Sequence, residues 1–579
     1  MKLKEKLPVS YLLFTIRGRI SKSTYWTASI FIWMSFYVLY NALEYLISLS
    51  ATWAVYPLLF WAITATAIKR LHDSNKSGYW VWLVLLPVLG PLVLIYWLGF
   101  KKGSRLPNKY GAVPGSAPDY FKNPLPEAIP HLKTEERIVN DITQLNPILV
   151  AKAEAPLTIE ALQDIIKNAD KPVSVGGGRF SMGGQTASTG SIHIDMRGLN
   201  KVLAFSPADK TIKVQAGIRW CDIQHHVDGH NLSVKIMQTY ANFTVGGALS
   251  VNCHGRYIGL GPVILSVISI DVILPTGEMK HASREENSDL FFACIGCYNA
   301  VAVIAVAELA LEDNIAVKRS HKKMRMDEYR EYFLEHVKNN RNVIFHNGDL
   351  YPPKYKHIRA VSWTKTDKQP TEKTRLMPLA ASYPVERYFI GSFSKNNFGK
   401  WRREYVIDPL LYLSKKIHWR NYEAGYDVFE LEPQSRKNST YVLQEYFVPV
   451  KNFEAFTTLM ADIFNRYKVN VLNVSIRHAE ADHGSLLAWA RQEVFAYVVY
   501  YKQNTTDVEK NKVAVWTREL IDAAISLNGA YYLPYQAHAT KQQFFSAYPR
   551  ADELFKLKSI IDPTFKFRNV LWDTYYKTT

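Results

Sequence analysis

The chain has 579 residues, 48% of them hydrophobic and 13% aromatic, and a formal net charge of +18. It is long enough to bury a large core and to hold more than one domain. Residues 1–118 carry 13 Lys and Arg against 3 Asp and Glu, more than half of the net charge. The remainder is only mildly basic, with no basic stripe interleaved with aromatics, which excludes a nucleic-acid groove.

Three uncharged apolar runs fill the N-terminal fifth, at 25–43 (YWTASIFIWMSFYVLYNAL), 53–68 and 79–100. A span needs about 20 apolar residues, so the first and third fit and the second is a little short. Tyr and Trp at their ends suit the interfacial belt. Residues 1–10 lack the apolar core and small-residue cleavage site of a signal peptide, so the runs read as anchors. Basic clusters flank them at Arg17, Arg19 and Lys22, at Lys69, Arg70 and Lys76, and at Lys101, Lys102, Arg105 and Lys109. Each cluster favours the cytoplasm, and three full spans cannot satisfy all three. The Pro87-Val-Leu-Gly-Pro91 centre is therefore expected to break the third run into a re-entrant hairpin, which leaves the catalytic region cytoplasmic.

The stretches GRISKSTYW, KRLHDSNKSGYW and the apolar run ending PNKYG resemble the bacterial inner-membrane domain of unknown function DUF805 over residues 10–112. The resemblance implies a multi-pass, all-α membrane domain and says nothing about chemistry. Proline-rich polar sequence at 111–130 follows and reads as a linker, bounded here at 113–140.

Beyond it the pattern becomes that of an α+β protein. Residues 157–169 place Ile159, Leu162, Ile165 and Ile166 at helical spacing, and PVSV is a short buried strand. VSVGGGRFSMGGQ (173–185) follows, with five glycines in thirteen residues. Glycines permit positive φ and close backbone approach, so N–H groups can converge on an anion such as a diphosphate. The loop lacks the Gly-Lys-Ser/Thr of a Walker loop, and a second strand at 191–195 stands where a Rossmann helix would run. A strand at 211–217, a helix at 218–232, a second glycine-rich turn at 243–256 and a strand pair around Thr276-Gly277 come next. A helix or loop from 291 then leads into another strand.

This order resembles the PCMH-type FAD-binding domain of the vanillyl-alcohol oxidase superfamily, which includes sugar-lactone oxidases, cytokinin dehydrogenases and decaprenylphosphoryl-ribose oxidase. The domain is placed at 141–314. The resemblance implies that the FAD diphosphate is cradled by Gly176, Gly177, Gly178, Arg179, Phe180, Ser181, Met182, Gly183, Gly184 and Gln185. Gly246, Gly247, Ser250, Asn252, Gly255, Val303 and Ile304 would complete the FAD site. Several members bond the flavin covalently through a histidine before a serine. Phe180 occupies that position and has no nucleophile, so FAD is expected to be non-covalent. His254, in Asn252-Cys-His-Gly-Arg256, matches a His-Gly-basic sequence near the flavin of polyprenylphosphoryl-sugar oxidases, where it could orient substrate or assist deprotonation. The four cysteines, Cys221, Cys253, Cys294 and Cys297, give no disulfide framework. Cys294 and Cys297 read as small buried side chains, and no metal site is expected.

The C-terminal half reads strand (441–450), helix (453–467) and two further strands (within 469–482 and 493–503), which resembles the cap domain of the same superfamily. The final segment resembles the carboxyl terminus of D-arabinono-1,4-lactone oxidase-like proteins, which closes back onto the flavin domain. One cap and C-terminal domain is assigned to 315–579, and within it 315–424 shows helical patches and basic residues without a motif. Lactone and alditol oxidases carry Glu-x-Arg on the central cap strand, where this chain has Ser475-Ile-Arg477. The arginine is expected to steady negative charge near the flavin. Tyr535 stands where polyprenylphosphoryl-ribose oxidases carry a lysine.

The resemblance implies a membrane-anchored FAD-dependent oxidoreductase that turns an alcohol carbon of a sugar, sugar lactone or lipid-linked sugar into a carbonyl. Oxygen or quinone would accept the electrons, His254 or Tyr535 would serve the proton side, and Arg477 the charge side. The missing Glu and Lys leave two alternatives: a flavin electron-transfer protein that reduces quinone or a partner, and an inactive flavin-binding scaffold.

Overall fold

The computed structural model of the chain describes residues 9–104, 135–378, 397–426 and 436–576, with 108, 110, 127 and 128 between the first two stretches. Most of the expected linker lies outside the described residues. Those described divide into two compact units, one up to residue 110 and one from residue 127 onward.

The first unit is helical where it is described. Lys22–Leu46 and Leu49–Asp73 are long and apolar enough to cross a membrane by length and composition. The second apolar run is longer than its sequence suggests, because its helix continues through Lys69 and Arg70 to Asp73. Both basic side chains are buried: Lys69 Nζ donates to Leu12 O at 2.9 Å, and Arg70 donates through Nε to Leu98 O at 3.0 Å and pairs with the Asp73 carboxylate. Residues read from sequence as a solvated flank thus fasten the ends of neighbouring helices, whose last carbonyls lack partners of their own. The third run breaks at Val88, which has φ of 62°. Gly78–Leu85 on one side folds against Leu89–Ile95 on the other, and a Cβ on Gly90 would fall 1.7 Å from the Leu83 carbonyl oxygen.

The second unit mixes helix and sheet. Three parallel strands, Lys152–Glu154, Ile192–Asp195 and Val173–Gly176, lie in that order and launch the glycine-rich loop from one end. Helix Ile159–Lys167 is capped by Thr158 and buries Leu162 and Ile166, so the expected helical face is the one that packs. An antiparallel sheet follows, with Val303–Asp313 at its centre between Val267–Ile273 and Thr211–Gln215. The second glycine-rich turn differs from expectation, since Val245–Ser250 closes a short helix there. Its tight seat explains the glycine: a Cβ on Gly246 would stand 2.8 Å from that of Ala216.

An eight-stranded antiparallel sheet forms the rest. Its central strands, Val471–Ala479, Val494–Asn504 and Ser439–Pro449, are those read from sequence. The stretch without a motif supplies four more: Ala316–Arg325, Val343–Leu350, His357–Lys365 and Ile417–Trp419. Ala316–Arg325 (AVKRSHKKMR) carries mostly basic side chains, half of them solvated, so no apolar alternation betrays it.

The chain end returns to the parallel strands. Val173 N donates to Lys566 O at 2.6 Å and Arg568 N to Val173 O at 2.9 Å. Asn569 Nδ2 and Trp572 Nε1 both donate to Tyr298 O. Lys558, fully buried, bridges Asp562, Ala300 O and Phe567 O.

Candidate active site

A cavity of about 540 Å³ lies between the glycine-rich loops and the eight-stranded sheet. Its first wall is made largely of backbone. Gly177 has no room for a side chain, because a Cβ there would sit 2.2 Å from Thr244 Oγ1, and one on Gly183 would sit 2.3 Å from Tyr535 O. Buried Asp141 holds the loop from behind, accepting from Gly184 N at 3.2 Å and from Thr143 and Asn146. Burial pushes its carboxyl above the usual range against those bonds. Met182 N donates to Pro534 O at 2.6 Å, and Gln185 Nε2 reaches Leu533 O and Tyr535 O. Gln185 is thus the clamp that delivers Tyr535 to the cavity. Phe180 stacks on Phe243 with centroids 4.3 Å apart, and both line the space. Burial lowers the neighbouring Arg179 to about 10.

Of the residues assigned to the cofactor, Gly176 to Met182, Gln185, Gly246, Gly247, Ser250 and Ile304 line this cavity. Gly183, Gly184, Asn252, Gly255 and Val303 stand behind its lining. Asn252 is fully buried and donates to Asp482 at 2.8 Å, while Gly255 packs on Met237 O. Thr239, Tyr240, Phe243, Thr244, Tyr298 and Asn299 also line it and were missed in sequence. The last two carry positive φ, a conformation that non-glycine residues do not advertise.

The opposite wall is side chains on regular strands. Leu443 and Glu445, Asn473, Ser475 and Arg477, and Val498 and Tyr500 alternate onto the cavity face of three adjacent strands. Ser475 pairs with Val498, and Val498 with Glu445, so the three share one cross-strand row. The carboxylate missing at Ser475 is thereby supplied two strands away, roughly 10 Å along the row at strand spacing. Sequence reasoning passed over Glu445, although an acid in the apolar run YVLQEYFVPV is itself a signal.

Glu445 joins the three candidate catalytic residues. Its Oε1 lies 2.6 Å from His254 Nε2, and Tyr535 Oη donates to its Oε2 at 3.2 Å. His254 Nδ1 also lies 3.2 Å from Gly255 O, so the ring is held at both nitrogens. Trp489 covers the imidazole at 4.9 Å between centroids. Burial lifts the Tyr535 phenol well above its ordinary range, with Glu445 adding to it. Arg477 is lowered by burial with Glu445 opposing, and its Nε has no hydrogen-bond partner. Arg256, the basic residue of the His-Gly-Arg sequence, turns away to Glu423 at 2.9 Å.

The cysteines are all buried and unpaired, and burial raises every thiol. Among the described residues one group, His478, Glu480 and Glu493, has metal-ligand spacing. It lies outside the cavity lining, and Glu493 is already bonded by His478 at 2.7 Å and Lys338 at 2.5 Å.

A backbone cradle closed to side chains, beside an arginine with a buried and unmet Nε–H, suits a ligand that joins a diphosphate to an electron-accepting ring. Comparison with known proteins agrees. Residues 147–283 match the model of an FAD binding domain, and residues 13–112 match DUF805, a protein family of unknown function. L-gulonolactone oxidase of Mus musculus is 21% identical over 427 residues, which is 72% of this chain and 92% of that protein. Cytokinin dehydrogenase 7 of Oryza sativa subsp. japonica is 32% identical over 145 residues, 24% of this chain, and the match spans little more than a quarter of that enzyme, 28%. Cytokinin dehydrogenase 3 of Arabidopsis thaliana is 27% identical over 194 residues, 32% of this chain and 37% of that enzyme. The chain is a flavoprotein that carries an FAD binding domain at residues 147–283 and a DUF805 domain at residues 13–112, and it is similar to the FAD-linked oxidases.

Proposed function

We propose that this protein is a membrane-anchored oxidoreductase that oxidises an alcohol carbon of a sugar, sugar lactone or lipid-linked sugar to a carbonyl, with FAD held non-covalently. The observation that carries this reading is the contact of Glu445 with both His254 and Tyr535 in the wall that also holds Arg477. Bound FAD supplies the acceptor for a hydride. The residues supply the rest. A substrate hydroxyl beside Tyr535 and His254 would meet a bonded chain, Tyr535–Glu445–His254, in which Glu445 is the acceptor that can take its proton through the Tyr535 hydroxyl. Arg477 places a fixed positive charge where negative charge develops. Similarity to L-gulonolactone oxidase over 72% of the chain favours a lactone or related polyol. Phe180 supports non-covalent binding, since a phenyl ring bonded into a stack on Phe243 offers no nucleophile.

The two long apolar helices favour a bilayer anchor. The basic clusters favour cytoplasmic catalytic units, and quinone or oxygen would reoxidise the flavin. The domains on this reading run 10–112 (membrane), 113–140 (linker), 141–314 (FAD) and 315–579 (cap and C-terminal).

The test is an absorption spectrum of detergent-purified protein before and after acid precipitation, then anaerobic titration with lactones, alditols and polyprenyl-phosphate sugars. A yellow supernatant and bleaching by one of these are expected. Yellow precipitate would overturn non-covalent binding, and a flavin reduced by none of them would overturn the substrate class.

A further inference from the structure

In the catalytic unit, Asn397–Arg402, Arg403–Ile407 and Asp408–Leu411 form one continuous helical stretch whose polarity is inverted. Phe398, Trp401, Tyr405, Val406, Leu410 and Leu413 face outward, each at least two-fifths exposed, with Phe398, Leu410 and Leu413 at 64%, 63% and 76%. The charged residues face the protein. Arg403 donates to Leu472 O at 2.8 Å, Glu404 accepts from His357 at 2.8 Å, and buried Asp408 accepts from Tyr351 at the same distance. A surface helix in water shows the opposite arrangement, with the apolar stripe inward. Phe398, Trp401 and Tyr405 stack in a row, at 5.8 Å between successive centroids, so the outward face is a contiguous aromatic patch and not scattered single side chains.

The surroundings identify the apolar phase. Lys415 and Lys416 follow the stretch directly and are exposed, Lys322 stands exposed on the adjoining strand Ala316–Arg325, and half-buried Arg319 on that strand donates to Leu411 O and Ser414 O. Aromatic and aliphatic side chains rimmed by cations match an anionic lipid surface, where the former enter the acyl boundary and the latter meet the headgroups. The position is also informative, because Arg403 and Asp408 line the candidate active-site cavity from beneath the same helices, and Leu411, 59% exposed, lines it from the outward face.

We propose that residues 397–413 insert into the bilayer interface, so that the substrate side of the cavity opens onto lipid and takes a substrate or electron acceptor with an apolar tail. This rests on the membrane-anchored reading for the bilayer itself, and one set of labels separates the two. All four native cysteines are buried, so a single introduced cysteine takes the probe. Trp401→Cys, Leu410→Cys and, as a second site on each turn, Phe398→Cys and Tyr405→Cys are labelled with an environment-sensitive fluorophore in full-length protein in nanodiscs containing anionic lipid. Tyr45→Cys, on helix Lys22–Leu46 and 90% exposed, reports the anchor, and Ile560→Cys, 76% exposed on Ala551–Ile561, reports a face in water. Flavin absorbance checks that each variant is folded.

The expected result is loss of fluorescence to nitroxide-labelled lipid at 45 and across 398–410, with 560 quenched by iodide alone. Lipid quenching at 45 but not at 398–410 overturns the proposal and spares the anchor. In that case sensitivity to iodide means that the patch is in water, and sensitivity to neither quencher means that protein covers it. Quenching at none of these positions overturns both readings, and lipid quenching at 560 as well overturns any specific docking face.

Discussion

The two walls of the cavity are built on opposite principles. The glycine-loop wall, proposed to hold the flavin and here termed the flavin wall, recruits backbone: glycines without room for a Cβ, residues at positive φ, and a loop held from behind by Asp141 and Gln185. The cap wall recruits side chains that stand on three straight strands and meet only because the strands pair in register. A backbone wall is intolerant of added atoms and indifferent to side-chain chemistry, and a strand wall is the reverse. Substitutions can therefore sort cofactor binding from turnover.

Added atoms on the flavin wall are expected to have the largest effect. Gly177→Val and Gly183→Val each force a branched side chain into space held at 2.2 and 2.3 Å by Thr244 and by the Tyr535 carbonyl. Either variant should purify colourless, whereas Gly229→Ala, with nothing within 4 Å, keeps its yellow absorbance. Retention of FAD by both valine variants would show that the wall yields, and the contrast would fail.

On the cap wall the order of effects reverses. Arg477→Met leaves the loops untouched and should keep FAD while it lowers kcat by roughly 10²–10³, the usual loss when one fixed group facing developing charge is removed. Glu445→Gln keeps the shape and the hydrogen-bond reach to His254 but not the charge. A decrease of about 10²-fold is expected, with flavin content unchanged. If either variant lost flavin and turnover in parallel, the cap wall would be holding the cofactor rather than the reaction.

The same contrast explains what could be read beforehand. VSVGGGRFSMGGQ declares itself because a backbone wall needs glycine in consecutive positions, and the short strand that enters it is flanked by valines. Glu445 and Arg477 are 32 positions apart and become neighbours only through the strand Val494–Asn504, whose pairing no local pattern encodes. Ser475 therefore looked like a lost acid, although the row it shares with Glu445 still carries one. Ala316–Arg325 was illegible for a different reason: an edge-side strand with solvated lysines has no apolar period to detect. In the N-terminal unit, Lys69 and Arg70 read as a flank because charge is assumed to seek water, while these two find buried carbonyls and, for Arg70, the Asp73 carboxylate.

Acid should weaken both walls next. His193 is fully buried under the glycine loop, and burial with nearby Arg179 lowers it to about 4. The folded protein keeps this imidazole neutral while the unfolded chain takes up a proton near its ordinary value. Its contribution is therefore complete above that value and is lost as pH falls towards 4, on the order of 3 kcal/mol across the window. His346 in the cap sheet, lowered to about 3, acts in the same direction. The midpoint of thermal unfolding should fall through this range, and His193→Asn should flatten the slope. An unchanged slope would mean that His193 is protonated in the fold.

The smallest effect should come from a group that belongs to both walls. The Tyr535 carbonyl accepts from Gln185 in the flavin wall, and its hydroxyl donates to Glu445 in the cap wall. Tyr535→Phe removes only the second contact. One oxygen of Glu445 loses its donor while His254 still holds the other, so a loss of about 1 kcal/mol, or several-fold in kcat, is expected. FAD content should not change, because the backbone bond survives. The pH profile of kcat decides what the hydroxyl does. If Tyr535 only orients Glu445, the phenylalanine variant keeps the shape of the wild-type profile at lower amplitude. If the phenol carries the substrate proton into the chain, the profile loses a limb, and the loss deepens well beyond the several-fold that a single hydrogen bond explains.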